Sequence, residues 1–112
     1  MPQLPINGTD LFVAEEGSGE PVVLVHGSLA DYRTWLLQLR ELSRRYHVIA
    51  YSRRYHYPNA EGSNGAPYAL SVQAEDLAEL IRTRADGRAH VVTSSFGGCV
   101  ALGLLLQEPG EY

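Results

Sequence analysis

Apolar and polar positions alternate between two kinds of run along the chain. Pro21 to Val25, His47 to Tyr51 and Ala89 to Val92 are short and rich in β-branched residues with little polar interruption. Runs of this kind predict strands buried on both faces of a parallel sheet. A further semi-alternating run, Leu11 to Ala14 between Asp10 and Glu15, predicts a strand that stops at the turn residues Gly17-Ser18-Gly19-Glu20-Pro21. Between the strands the apolar period changes to that of a helix. Trp35, Leu39, Leu42 and Tyr46 follow Asp31 as a candidate N-cap, with Arg44 and Arg45 suited to the negative end. Val72, Leu77, Leu80 and Ile81 follow Ser71 as a cap, with Glu75, Asp76, Glu79 and Arg82 expected in water and Asp86-Gly87 as the stop. Val100 to Leu106 form a third, strongly apolar helix, and residues 60–67 read as an exposed loop.

Strands alternating with helices in this order predict an α/β fold, a three-layer αβα arrangement with a mostly parallel, doubly wound sheet. Such sheets form their sites at the carboxyl ends of the strands, and three candidate loops fall there, at Ser28, at Arg53 and at Ser95. The last strand runs through Val91-Val92-Thr93-Ser94-Ser95-Phe96-Gly97-Gly98 into the third helix. A turn this abrupt forces its apical residue into a cramped backbone conformation, at a cost of about 1 to 3 kcal/mol, and lifts the side chain out of the fold. The side chain lifted is the Ser95 hydroxyl, beside the positive end of the helix and the Phe96 N–H.

This segment resembles the nucleophile elbow of the α/β-hydrolase family, as small residue, variable residue, Ser95, Phe96, Gly97. Spacing selects Ser95 over Ser94, because only Ser95 stands two residues before Gly97. Where the G-x-S-x-G pattern has its first glycine this chain has Thr93, whose branched side chain must find room where strand and helix nearly touch. The strand ending in His26-Gly27-Ser28-Leu29 resembles the oxyanion loop of the same family. The resemblance implies a serine hydrolase acting on an ester or similar acyl substrate, with Ser95 as nucleophile. The backbone N–H groups of Phe96 and Ser28, with Leu29 as the alternative to Ser28, would hold the oxyanion, and Gly27 and Gly97 would shape the loops. His26 is expected to be a hydrogen-bonded structural histidine of the loop. After the His47 to Tyr51 strand the family carries an Asp-x-Arg-Gly-x-Gly-x-Ser type loop. This chain keeps an arginine but has Ser52 for the acid and Tyr55 and Tyr57 for glycines.

Composition narrows the partners. Of 112 residues, 45% are hydrophobic and 20% charged, as in an ordinary globular core, and the net charge of −4 gives no general attraction to phosphate backbones or anionic membranes. Arg53, Arg54, Tyr55, His56 and Tyr57 interleave cations with rings, but without a second basic cluster they are expected to pack and anchor their loop. Steering of anionic substrates by one of these arginines is a secondary expectation, and nucleic acid is not an expected partner. Cys99 is the one cysteine, so no intrachain disulfide forms, and its place in an apolar helix predicts a small buried residue. The N-terminus has no signal-like pattern and no apolar run is long enough to span a bilayer, so the expected location is cytoplasmic. His26, His47, His56 and His90 lie at no metal-ligand spacing and no phosphate-binding glycine loop exists, so neither metal nor cofactor is expected.

In the family the triad acid and histidine follow the nucleophile in chain order. No histidine follows Ser95 here, and Glu108 and Glu111 stand where a helix ends. Residues 1–112 are therefore expected to form a single partial domain, resembling the N-terminal half of the α/β-hydrolase fold and inactive alone, with its elbow strand at an open sheet edge. The alternative is a non-catalytic fragment, or one half of a split protein, that pairs with itself or with a complementing chain through that edge. A different chemistry on the same scaffold, a lyase or a cofactor-free oxidase, is the third expectation.

Overall fold

The computed structural model describes residues 3–6, 8–27, 30–53 and 70–107. Its strands are β1 (Gln3–Ile6), β2 (Thr9–Glu16), β3 (Pro21–Val25), β4 (His47–Tyr51) and β5 (His90–Thr93). Its α-helices are α1 (Leu36–Leu42), α2 (Leu70–Arg84) and α3 (Phe96–Gln107), with a 3-10 turn at Tyr32–Trp35 leading into α1. The strands lie side by side in the order β1-β2-β4-β3-β5. β4, β3 and β5 are parallel, in a register that sets Val25 against both Tyr51 and Thr93. β1 and β2 run antiparallel at the other edge.

The period of two in β3 divides the core. Val23 and Val25 point to one side, where they pack with Leu77, Leu80 and Ile81 of α2 and Val100 and Leu104 of α3. Val22 and Leu24 point to the other, where they meet Trp35 and Leu39 of the first helical segment. Three layers result, as the sequence predicts. The aligned carboxyl ends of β3, β4 and β5 deliver His26, Ser52 and Ser95 to one rim of the sheet.

Several expectations are corrected. β1 is a strand that the apolar pattern does not announce; Pro5 is tolerated because β1 is the outermost strand. The first helix is shorter than its stripe from Trp35 to Tyr46. Asp31 does cap it, its carboxylate accepting the Arg33 N–H at 3.0 Å, but it caps the 3-10 turn. At the far end the chain leaves the helix after Leu42, and Gly17 and Gly19 press against the carbonyls of Ser43, Arg45 and Tyr46. Ser71 is the second residue of α2 and not its cap, because Leu70, a better helix former, is taken into the first turn. β5 is half-exposed and not buried on both faces: Val91 packs on the cluster of α2 and α3, while Val92, on the Leu24 face, is exposed. Cys99 is exposed, on the same uncovered side of the molecule as Leu102, Leu105 and Leu106, the last of which is 83% exposed. No described helix is long and apolar enough to cross a membrane.

Candidate active site

The turn at Ser95 is built from the strand upward. The Ser94 N–H donates to the Val25 carbonyl at 3.1 Å and so extends the β5–β3 pairing by one residue. The chain then turns at Ser95, whose φ of +53° lies in the left-handed region that a β-carbon disfavours. The Gly97 N–H donates to Ser94 O and the Gly98 N–H to Ser95 O, both at 2.9 Å, which starts α3. Ser95 is exposed, and its hydroxyl has no hydrogen-bond partner among the described residues. Phe96 is the first residue of α3, so its N–H is among the four that a helix leaves without an internal acceptor.

Two glycines allow the neighbouring loop to close on this turn. A β-carbon on Gly97 would collide with the Val25 carbonyl oxygen and lie 2.8 Å from that of His26, so only glycine lets α3 begin this close to β3. A β-carbon on Gly27 would lie 2.9 Å from the Ser95 Cβ and 3.1 Å from the Ser94 carbonyl oxygen. Gly27 therefore touches the serine itself. Thr93 finds room beside the helix without help from its neighbour: a β-carbon on Gly98 would stand 3.4 Å from the Thr93 Oγ1, an ordinary contact distance.

His26 is fully buried and both of its ring nitrogens are engaged. The Arg53 N–H donates to Nε2 at 2.9 Å, so Nε2 carries no proton, and Nδ1–H donates to the Gly27 carbonyl at 2.8 Å. Held in this way, the ring has no lone pair left for Ser95. His47 donates through Nε2 to Glu15 at 2.7 Å, and His90 to Glu20 at 2.7 Å, both at the opposite end of the strands. His56 lies outside the described residues, as do Ser28, Leu29, Arg54, Tyr55, Tyr57, residues 60–67, Glu108 and Glu111. Among the described residues no cluster of His, Cys, Asp or Glu could hold a metal ion.

A buried polar layer beneath the loops escapes sequence reasoning. Arg53 is 1% exposed; its Nε–H donates to the His26 carbonyl at 3.0 Å and its Nη1–H to the Gln73 Oε1 at 2.9 Å. The arginine anchors loops, as expected of it, and does not face solvent where it could steer an anion. Gln73 and Asp76, the latter expected in water, are both buried on α2. Both lie at helical spacing from Leu77 and Leu80, and a glutamine on that apolar stripe is where α2 meets the buried Arg53 guanidinium. Burial pushes the Tyr51 phenol far above its usual range; the Arg53 charge opposes the rise and the Asp76 charge adds to it. Ser52, where the family pattern has an acid, is fully buried and accepts the Tyr32 N–H at 3.0 Å, which fixes the 3-10 turn to β4. Asp31 is held below the usual carboxylate range by its hydrogen bond from the Arg33 side chain, against the opposing effect of burial.

A mixed sheet with a parallel β4-β3-β5 core, helices on both faces and a strained serine between strand and helix defines a class of α/β proteins. Within it, this chain belongs to the alpha/beta hydrolase family, whose model matches residues 22–109. It is similar to a putative carbamate hydrolase, RutD, of Variovorax paradoxus, with 35% identity over 83% of this chain and 35% of that protein. It is also similar to the 2-hydroxy-6-oxo-2,4-heptadienoate hydrolase of Pseudomonas putida, with 30% identity over 91% of this chain and 38% of that protein. Among solved structures, an epoxide hydrolase of Vigna radiata superposes with a TM-score of 0.84 at 27% identity, over 98% of this chain and 36% of that one. The chain thus spans between about a third and two fifths of the length of the curated relatives it matches.

Proposed function

We propose that the protein is a hydrolase that uses Ser95 to cleave a carboxylic ester or related acyl substrate through an acyl-enzyme. The Ser95 Oγ attacks the carbonyl carbon as its proton passes to a base, and the carbonyl oxygen takes up the negative charge beside the N–H groups of Phe96 and Ser28. The base returns the proton to the leaving alcohol, and water then releases the acid from the serine. Among the described histidines, both His26 nitrogens are bonded, and His47 and His90 pair at the far end of the strands; following the family's chain order, in which acid and histidine come after the nucleophile, the reading assigns both to polypeptide outside these 112 residues. The 112-residue chain alone is then inactive. The reading places it in the cytoplasm, with no metal or cofactor.

One observation carries this reading: an exposed serine at a left-handed turn, its hydroxyl without a hydrogen-bond partner among the described residues and Gly27 against it. Both curated relatives named above are hydrolases by name, which agrees with it. The test is turnover of p-nitrophenyl acetate by the complete protein. Ser95→Ala is expected to abolish it and Ser94→Ala to leave it within about threefold; a Ser95→Ala variant as fast as the parent overturns the assignment.

A second reading is favoured by the open edge at β5, where Val92 is exposed on the Leu24 face of the sheet and Leu102, Leu105 and Leu106 of α3 are exposed on the opposite one. Here the chain is one part of a split hydrolase, and a complementing polypeptide lies along β5 and brings the base with it. Labelling of Ser95 by a fluorophosphonate only after the second polypeptide is added would support it. Equal labelling without that polypeptide would exclude it.

A further inference from the structure

The His26–Gly27 turn touches the candidate nucleophile, so whatever fixes that turn also fixes the serine. Gly27 approaches the Ser95 Cβ so closely that a β-carbon would have no room, and the His26 carbonyl lies against Gly97. A small displacement of the turn must therefore move the Ser95 side chain or open a gap beside it. Both carbonyls of the turn are bonded. That of Gly27 accepts from the His26 ring, and that of His26 accepts from the Arg53 guanidinium at 3.0 Å. The His26 ring is in turn held by the Arg53 backbone N–H at 2.9 Å. One residue thus grips the turn at two points, and α2 grips that residue through Gln73 at 2.9 Å. Burying a guanidinium this completely is a costly way of filling space between a strand and a helix. A hydrocarbon side chain would fill the same volume without desolvating a charge. What hydrocarbon could not do is pin a main-chain carbonyl.

We propose that Arg53, braced by Gln73, is the positioning residue of the acyl-transfer site: it holds the His26–Gly27 turn against Ser95 while touching no substrate itself. The proposal rests on the reading of Ser95 as nucleophile. It falls at a position where the family pattern has a variable residue, between Ser52 and the pattern's arginine at Arg54.

The test is the split between kcat and KM for p-nitrophenyl acetate in the complete protein, with Ser95→Ala as the control. Arg53→Met is expected to lower kcat about 10²-fold, the cost of a misplaced reacting group, and to leave KM within about threefold. Arg53→Lys restores one donor to the His26 carbonyl and is expected to recover about tenfold of that loss. Should Arg53→Met fail to fold, Gln73→Leu removes only the brace, and kcat is expected to fall about tenfold at constant KM. A rise in KM at constant kcat would make Arg53 a substrate-binding group and overturn the proposal, as would unchanged kinetics in a folded Gln73→Leu protein. If Ser95→Ala is inactive while the Arg53 and Gln73 variants match the parent, only the positioning role falls. If Ser95→Ala keeps full activity, the nucleophile assignment falls first and takes the positioning role with it.

Discussion

The two ends of the parallel strands use the same residue types for different work. At the amino ends, His47 and Arg84 converge on Glu15, and His90 meets Glu20, as partly or largely exposed pairs between side chains. At the carboxyl ends, His26 and Arg53 are buried, and their bonds go largely to the main chain. The difference is one of consequence. A side-chain pair in water ties two elements loosely and tolerates adjustment, whereas a buried donor on a carbonyl fixes where a loop's backbone lies. One end of this sheet is fastened; the other is shaped.

Substitutions at the two ends should separate these roles. The largest effect is expected at Gly97, where a β-carbon meets the carbonyls of Val25 and His26. Gly97→Ala should destabilise the protein by about 1 to 3 kcal/mol in urea unfolding, and an unchanged midpoint would mean that α3 can move off β3 freely. Gly27→Ala should cost less stability, about 1 kcal/mol, because the nearest contact is with a side chain and the backbone one, at 3.1 Å, is looser than those at Gly97, yet reduce p-nitrophenyl acetate turnover about 10²-fold. Equal losses of stability and activity in these two variants would erase the distinction between packing and shaping.

Asp31→Ala, which removes a cap on the same rim, should cost about 1 kcal/mol near neutral pH. The Arg33 side chain holds the Asp31 carboxyl below its ordinary value of 3.8, so its contribution is complete above that value and is lost as the pH falls through the lower folded one. Thermal melts of parent and variant should therefore differ more at about pH 6 than at about pH 2. The smallest effect belongs to the amino end. His90→Ala, which breaks the exposed pair with Glu20, should change stability by less than about 0.5 kcal/mol, and by less still in high salt.

Much of this division was legible in the sequence because it follows from spacing and volume. The uninterrupted Val22 to Val25 run could be satisfied only by cover on both faces, and Ser95 two residues before Gly97 could be the apex where Ser94 could not. What escaped was set by distant partners. Nothing near Asp76 in sequence says that its side of α2 is buried, and the helical stripe alone sends an aspartate to water. Cys99 departs from expectation for the converse reason: an apolar helix says that its residues suit a core without saying which side has one, and this cysteine is exposed. β1 was hidden by its proline, which forbids a central strand but suits an outer one. The Trp35 to Tyr46 stripe is correct as packing, since Trp35, Leu39, Leu42 and Tyr46 share one cluster, but it overstates the helix.

The carbonyls that crowd Gly97 say which side of such a turn has to stay bare. With the Val25 and His26 oxygens in the space that a β-carbon would take, a hydrogen is all that the residue two after the serine can carry. Two before the serine, the branched Thr93 is accommodated with its Oγ1 3.4 Å from the nearest point of Gly98 that a side chain would occupy. In this chain the elbow demands smallness behind its apex and tolerates bulk ahead of it.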